Sequence, residues 1–229
     1  MKRLNILWIG LISVLMTACY DDYEKDYDKS SVYFASQKPL RTLVADTDMS
    51  IKVGVAIGGK REVHTDDWAT FEIDPSLLDG TGLTLMPENY YQLANPNKMT
   101  ISNPNLAIAD VKVTFSDAFY EDDDALNKHY AIPFRLIDHN QDEISTDVNG
   151  NLKDYSIVVV KFVSQYHGTY FVKGKVTNLS TQQVTEYSNK DLSQNMTRDF
   201  VSLGRNKVRR PGFGNTLENN ESAVSYTHL

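Results

Sequence analysis

Asp48-Met49-Ser50-Ile51-Lys52-Val53-Gly54-Val55-Ala56-Ile57 alternates residue by residue, with Met49, Ile51, Val53, Val55 and Ile57 on one face and Lys52 on the other. In an extended chain successive side chains point to opposite faces, so this stretch has one buried and one wet face, the pattern of an antiparallel strand. Val111, Val113 and Phe115 against Lys112 and Thr114 repeat the pattern, and Ser31–Ala35, Trp68–Asp74, Lys98–Ser102 and Tyr155–Ser164 are further strand candidates. Asn95-Pro96-Asn97 and Asn103-Pro104-Asn105 punctuate the runs as turns. Pro87 lacks a ladder donor, so Leu83–Leu93 reads as a bend with a helical turn beginning at Pro87. Pro133, inside Tyr130–Ile137, reads as the mark of an edge strand or a bulge. No long helical period occurs, and the class is all-β. About seven short strands over residues 31–164 is the count of an immunoglobulin-like antiparallel β-sandwich, although a jelly roll would read similarly.

Gln165-Tyr166-His167-Gly168 reads as a boundary. Alternation restarts in Thr169–Asn178 and continues in Gln183–Tyr187 and Asp199–Leu203. Roughly 60 residues with three or four strands make a poor independent core, so residues 168–222 are expected to be an incomplete second β domain. Ala223–Leu229 resembles a translated sequencing adaptor, which implies that the natural frame departs near Ser222.

The chain opens differently. Met1-Lys2-Arg3 is a short basic start, Leu4 to Met16 an apolar run, and Thr17-Ala18 a small pair before Cys19, in the order of an export signal. The 13-residue run is shorter than the roughly 20 residues a membrane helix needs, so residues 1–18 read as a cleaved leader. Leu15-Met16-Thr17-Ala18-Cys19 resembles a bacterial lipobox, with Met16 where leucine is commonest. The resemblance implies lipidation of Cys19, the only cysteine, and a stable membrane anchor, which takes more than one acyl chain. Residues 19–30 are acidic and polar without an apolar period, hence a solvated tether. Acidic residues directly after the cysteine resemble the surface-export signal of Bacteroidetes lipoproteins, which implies an outer-membrane protein facing the exterior.

Losing Lys2 and Arg3 with the leader takes the formal charge from −7 to −9. Such an acidic chain is a poor nucleic-acid binder, and Arg205, Lys207, Arg209 and Arg210 form only a local basic patch.

With these segments placed, the chain resembles a family of Bacteroidetes surface lipoproteins with an N-terminal domain long catalogued as of unknown function. The likeness lies in the lipobox and acidic tether, Leu85–Leu93, the Lys98-to-Phe115 strand pair and Ala131–Leu136, while Gly168–Gly174 resembles the opening of the β domain that often follows. The resemblance implies an immunoglobulin-like module of glycan-utilisation systems, found in surface glycan-binding proteins and ahead of family 18 endo-β-N-acetylglucosaminidase domains. It brings no catalytic residue with it. Three functions follow as expectations: a non-catalytic glycan-binding or glycan-presenting lipoprotein with the sandwich as spacer, the front of an endoglycosidase, or an adhesin or assembly module contacting outer-membrane proteins.

Sugars are recognised by aromatic faces laid on the apolar side of the ring, and Trp68, Tyr90, Tyr91, Tyr120 and Tyr130 are the candidates, although core packing is the favoured reading for each. Asp138, Asn140 and Asp142 carry oxygen ligands at alternate positions, as a calcium loop does, but Glu143 stands where the EF-hand pattern needs glycine. The acidic run Glu121-Asp122-Asp123-Asp124 is a second, weaker calcium candidate. No other cofactor is implied. His64, His129, His139 and His167 lack metal-ligand spacing, and no Gly-x-Ser-x-Gly nucleophile elbow occurs.

Overall fold

A computed structural model describes residues 29–60, 63–103, 105–122, 124–210 and the backbone of 222–225. Cys19, the leader and nearly all of the tether lie outside the described residues, as does Asp123.

In chain order the strands of the first unit are β1 (Ser31–Tyr33), β2 (Leu40–Val44), β3 (Ser50–Gly58), β4 (Trp68–Ile73), β5 (Thr84–Leu85) and β6 (Tyr91–Leu93). Then come β7 (Lys98–Ile101), β8 (Ile108–Phe115), β9 (Tyr130–His139), β10 (Glu143–Ile144) and β11 (Tyr155–Val163). They hydrogen-bond in the order β10-β1-β3-β8-β7-β4-β9-β11-β2, with β5 on β9 and β6 on β8. β3 and β8 run antiparallel over Ser50–Ala56 and Ile108–Thr114 and turn Val53, Val55, Val111 and Val113 inward, as their alternation requires. The order is continuous because β7 pairs with both β8 and β4, so one curled sheet wraps the two faces of a sandwich. The sheet is mixed: β2 lies parallel to β11, β1 to β10 and β5 to β9.

The N-terminal segment serves both faces. β1 pairs with β3 only over Ala56–Gly58, the chain crosses at residues 34–39, and β2 joins β11 on the opposite edge. Bonds from the Ile157 and Val159 N–H groups to the Gln37 and Pro39 carbonyls lay down the crossing.

An aromatic cluster closes the core. The short helix α1 (Asp117–Tyr120) brings Phe119 within 5.4 Å of Phe162 and 5.6 Å of Phe115, ring centre to ring centre. Each such pair adds about 1 kcal/mol beyond the area it buries. Pro87 precedes a 3-10 turn at Glu88–Tyr90, the bend its missing donor predicts, and the turn lays Tyr90 edge-on to Tyr130 at 5.6 Å.

Pro133 corrects an expectation. Its strand, β9, lies between β4 and β11 rather than at an edge, and the bulge in the β4–β9 register is at Thr70/Phe71 instead. Pro133 occupies the point where the neighbour of β9 changes. The Met86 N–H bonds to the Ala131 carbonyl on the β5 side, and the Asp74 N–H bonds to the Pro133 carbonyl at the end of β4. The Asp74 carbonyl that a donor at 133 would seek already accepts from the Leu77 N–H. The missing N–H therefore leaves no ladder bond unmade.

Beyond residue 164 lie β12 (Gly168–Phe171), β13 (Gly174–Thr177), β14 (Val184–Tyr187), β15 (Thr197–Gly204), β16 (Lys207–Arg210) and β17 (Ser222–Ser225). β12, β15, β16 and β17 form one sheet, and β13 and β14 a hairpin. The only apolar side chains buried among the described residues of this unit are Tyr187 and Val208, with Tyr170, Phe171, Val184 and Val201 exposed. Gly168 stands at φ +152°, a conformation that favours glycine where β11 gives way to β12.

Candidate functional site

The crossing of the N-terminal segment leaves a gap beside β3. Alternation along the β3–β8 ladder, fixed by the bonds from Ile57 N–H to Ala107 O and from Phe115 N–H to Met49 O, turns the backbone groups of odd-numbered residues toward β8. Those of Lys52 and Gly54 turn the other way, where β1 no longer covers β3. A groove of about 400 Å³ opens here between Ala35 and Arg41 on one side and Leu106, Ile108 and Asp110 on the other. A recess of about 110 Å³ continues it toward Pro39 and Ser156.

The groove has an apolar wall and a polar end. Leu106, 52 % exposed, and Ile108, 42 % exposed, form the apolar wall. At the polar end the Lys52 ammonium lies 2.9 Å from Ser102 Oγ and 3.1 Å from Asp110 Oδ2, and Ser102 Oγ donates to the same carboxylate at 3.1 Å. Lys52 and Asp110 thus offset each other's charge. Arg41, which lines both the groove and its recess, has no hydrogen bond or ion pair among the described residues and is left as an uncompensated cation. Gly54 is required where it is. A β-carbon there would sit 2.5 Å from the Ala109 carbonyl oxygen and 2.9 Å from Asp110 Cβ.

Of the aromatic candidates, Tyr90, Tyr120 and Tyr130 gather around Phe119. Tyr120 and Tyr130 are 2 % and 4 % exposed and belong to the core, so neither offers a face to a sugar. The Tyr130 hydroxyl donates to Asp122 at 2.8 Å, and burial together with that bond to an anion pushes it up to about 12. Partial burial would raise Asp122, but the bonds it accepts from the Asp124 N–H and Tyr130 outweigh this and hold it below the usual carboxylate range. Tyr90 and Tyr91 are half-buried at the bend and pack against the core, and the Lys98 ammonium lies 4.9 Å from the centre of the Trp68 ring.

The oxygen-rich loop is a latch. Asp138 accepts from the His139 N–H, Asn140 from the Trp68 N–H at 2.9 Å, and Asp142 from the N–H and hydroxyl of Ser30, both at 2.7 Å. These bonds tie the starts of β1 and β4 to the loop after β9. Among the described residues no three His, Cys, Asp or Glu side chains gather as they would around a metal. Beneath the latch Asp67, 3 % exposed, accepts from Lys60 at 2.6 Å and from Gln141 at 2.9 Å.

Arg205, read from sequence as part of a basic patch, instead spans the two units. From the β15–β16 turn it reaches Asp46 at 2.6 Å and Asp117 at 2.8 Å, and it stands 5.8 Å from the centre of the Tyr120 ring. Nearby, Ser202 Oγ accepts from the Ser164 N–H, and the Ser202 N–H donates to His167 Nδ1.

Sequence reasoning missed the groove. Its one signal was Gly54 within an otherwise alternating strand, since glycine in a strand interior marks a close approach of another backbone or of a ligand. Arg41 carried none, because β2 has too little alternation to be read as a strand.

A structural-genomics protein of unknown function from Bacteroides ovatus shares this fold, with 20 % identity over 88 % of this chain and 75 % of its own and a TM-score of 0.70. EndoBT-3987 of Bacteroides thetaiotaomicron, crystallised with a Man5GlcNAc product, aligns at 22 % identity over 61 % of this chain and 32 % of its own, TM-score 0.41. An auxiliary nutrient binding protein of the same species aligns at 10 % identity over 85 % and 68 %, TM-score 0.46. No curated protein matches. Residues 27–143, just over half of the 229-residue chain, match a family model described as "-like, N-terminal domain", and the chain belongs to that family.

Proposed function

We propose that this chain is a non-catalytic part of a surface lipoprotein that captures or presents glycans, in which the sandwich is a rigid support for the β unit after it. The observation that carries the reading is the match over residues 27–143, which falls on the sandwich and agrees with the resemblance to glycan-utilisation lipoproteins. Two features of the fold support the support role. The aromatic residues that could have stacked on sugars are largely spent inside the sandwich, and Arg205 ties the second unit to it. A lipid on Cys19, with residues 19–30 as tether, would hold this assembly to the outer membrane.

The test is retention of the purified protein on immobilised host and plant glycans, with released reducing ends assayed in parallel. Retention without release is expected. Release of reducing ends would make the protein an enzyme, and failure to bind any glycan would remove capture. Cys19→Ser should abolish incorporation of labelled palmitate and release the protein from outer membranes. Membrane attachment unchanged in that variant would overturn the anchor.

A further inference from the structure

We propose that the groove beside β3 binds a sugar ring bearing a carboxylate, a uronic-acid residue of a glycan. The inference rests on the glycan reading above and adds to it a site and a chemical class.

Each part of the groove matches one part of such a ligand. Arg41 is an uncompensated guanidinium in a chain of net charge −7, and its planar fork of donors suits a carboxylate better than any neutral group. The aliphatic wall of Leu106 and Ile108 fits the C–H face of a pyranose. Ser102 and Asp110, held in place by Lys52, offer a hydroxyl and a carboxylate to ring hydroxyls. The open edge of β3 adds backbone donors and acceptors at Lys52 and Gly54. A volume of about 400 Å³ falls at the small end of ligand sites, which run from about 300 Å³ upward. A neutral sugar would gain nothing from the charge of the exposed Arg41, and a simple aliphatic acid would leave the polar end unanswered.

The experiment titrates the intact chain with the methyl glycosides of glucuronate and galacturonate, their neutral counterparts methyl glucoside and galactoside, and hexanoate. Calorimetry reads affinity, and methyl NMR signals of Ile108, Leu106 and Ala56 read location. The acidic sugars should bind about ten-fold or more tightly than the neutral ones, the loss expected for one charge-assisted pair, and shift those methyl signals. Arg41→Gln should abolish the preference while leaving the melting temperature unchanged. Equal binding of acidic and neutral sugars, a preference that survives Arg41→Gln, or the absence of shifts at the groove would each overturn the site. Hexanoate binding as tightly as the uronates would overturn the assignment to a sugar. Whole-protein retention on neutral glycans that persists in Arg41→Gln, without uronate binding, would sink this site and leave the broader reading standing.

Discussion

A methyl group at position 54 has nowhere to go, because the Ala109 carbonyl oxygen and Asp110 Cβ already occupy its surroundings. Gly54→Ala should cost about 2 kcal/mol, as overpacking does, and the denaturant midpoint will report it. Asp67 works through charge. Burial raises its pKa, but Lys60, Gln141 and the His64 N–H together lower it below 3.8. Its contribution is therefore full above the unfolded value of 3.8 and fades as pH falls through the lower folded one. Asp67→Asn should lose about 2 kcal/mol at neutral pH, and the gap between its melting curve and that of the parent should close in acid. Residues like these are hard to read from a sequence. Composition does not distinguish Asp67 from Asp66, and one of the partners that holds Asp67, Gln141, lies far along the chain. Tyr120 and Tyr130 belong to the core, as their burial and their ring contacts with Phe119 show, although the sequence leaves a sugar-binding role open beside the favoured core reading.

Elements were more legible than residues. β3 and β8 follow from alternation alone, because one face of each is dry and the other wet. β2 did not, since Leu40, Arg41, Thr42 and Val44 are exposed and its strand state comes from the partner β11 rather than from its own pattern. Pro133 misled for a related reason. The rule that proline belongs at edges concerns an unmet donor, and here the neighbouring strand ends where that donor would point. Pro133→Ala should accordingly change stability by less than about 1 kcal/mol. Ile132→Pro, one residue earlier, removes a ladder bond to β11 and should cost about 3 kcal/mol. Urea melts of the two variants give the comparison, and equal losses would refute this account of β9.

At the scale of the whole molecule, the all-β class was written in the turn residues and the period of two, while the attachment of the second unit was not. Arg205 lies 159 residues from Asp46, and a basic run gives no hint of which carboxylates it meets. Its pair with Asp46 is partly buried and that with Asp117 is open to water on the carboxylate side, and both raise its pKa further. Arg205→Met should loosen the second unit while changing the melting of the sandwich by no more than about 1 kcal/mol. Relaxation of backbone amides would then show the second unit tumbling apart from the first, and unchanged joint tumbling would mean that Ser164, His167 and Ser202 suffice as the joint.

The placing of β2 beside β11 has a mechanical side. The chain enters the sandwich through β1 and β2 and leaves it through β11, and β2 and β11 run parallel over the pairs from Leu40–Val159 to Val44–Val163. A pull between the entering and leaving ends therefore drags the two strands along their own length in opposite directions. All of these rungs are loaded at once, in shear, rather than opened one after another like a zip. Forced rupture is governed by the rate of unfolding, and a shear contact raises that barrier without adding to equilibrium stability. A domain wired this way can be tugged by fluid flow or by a large polymer held at its far end and keep its shape.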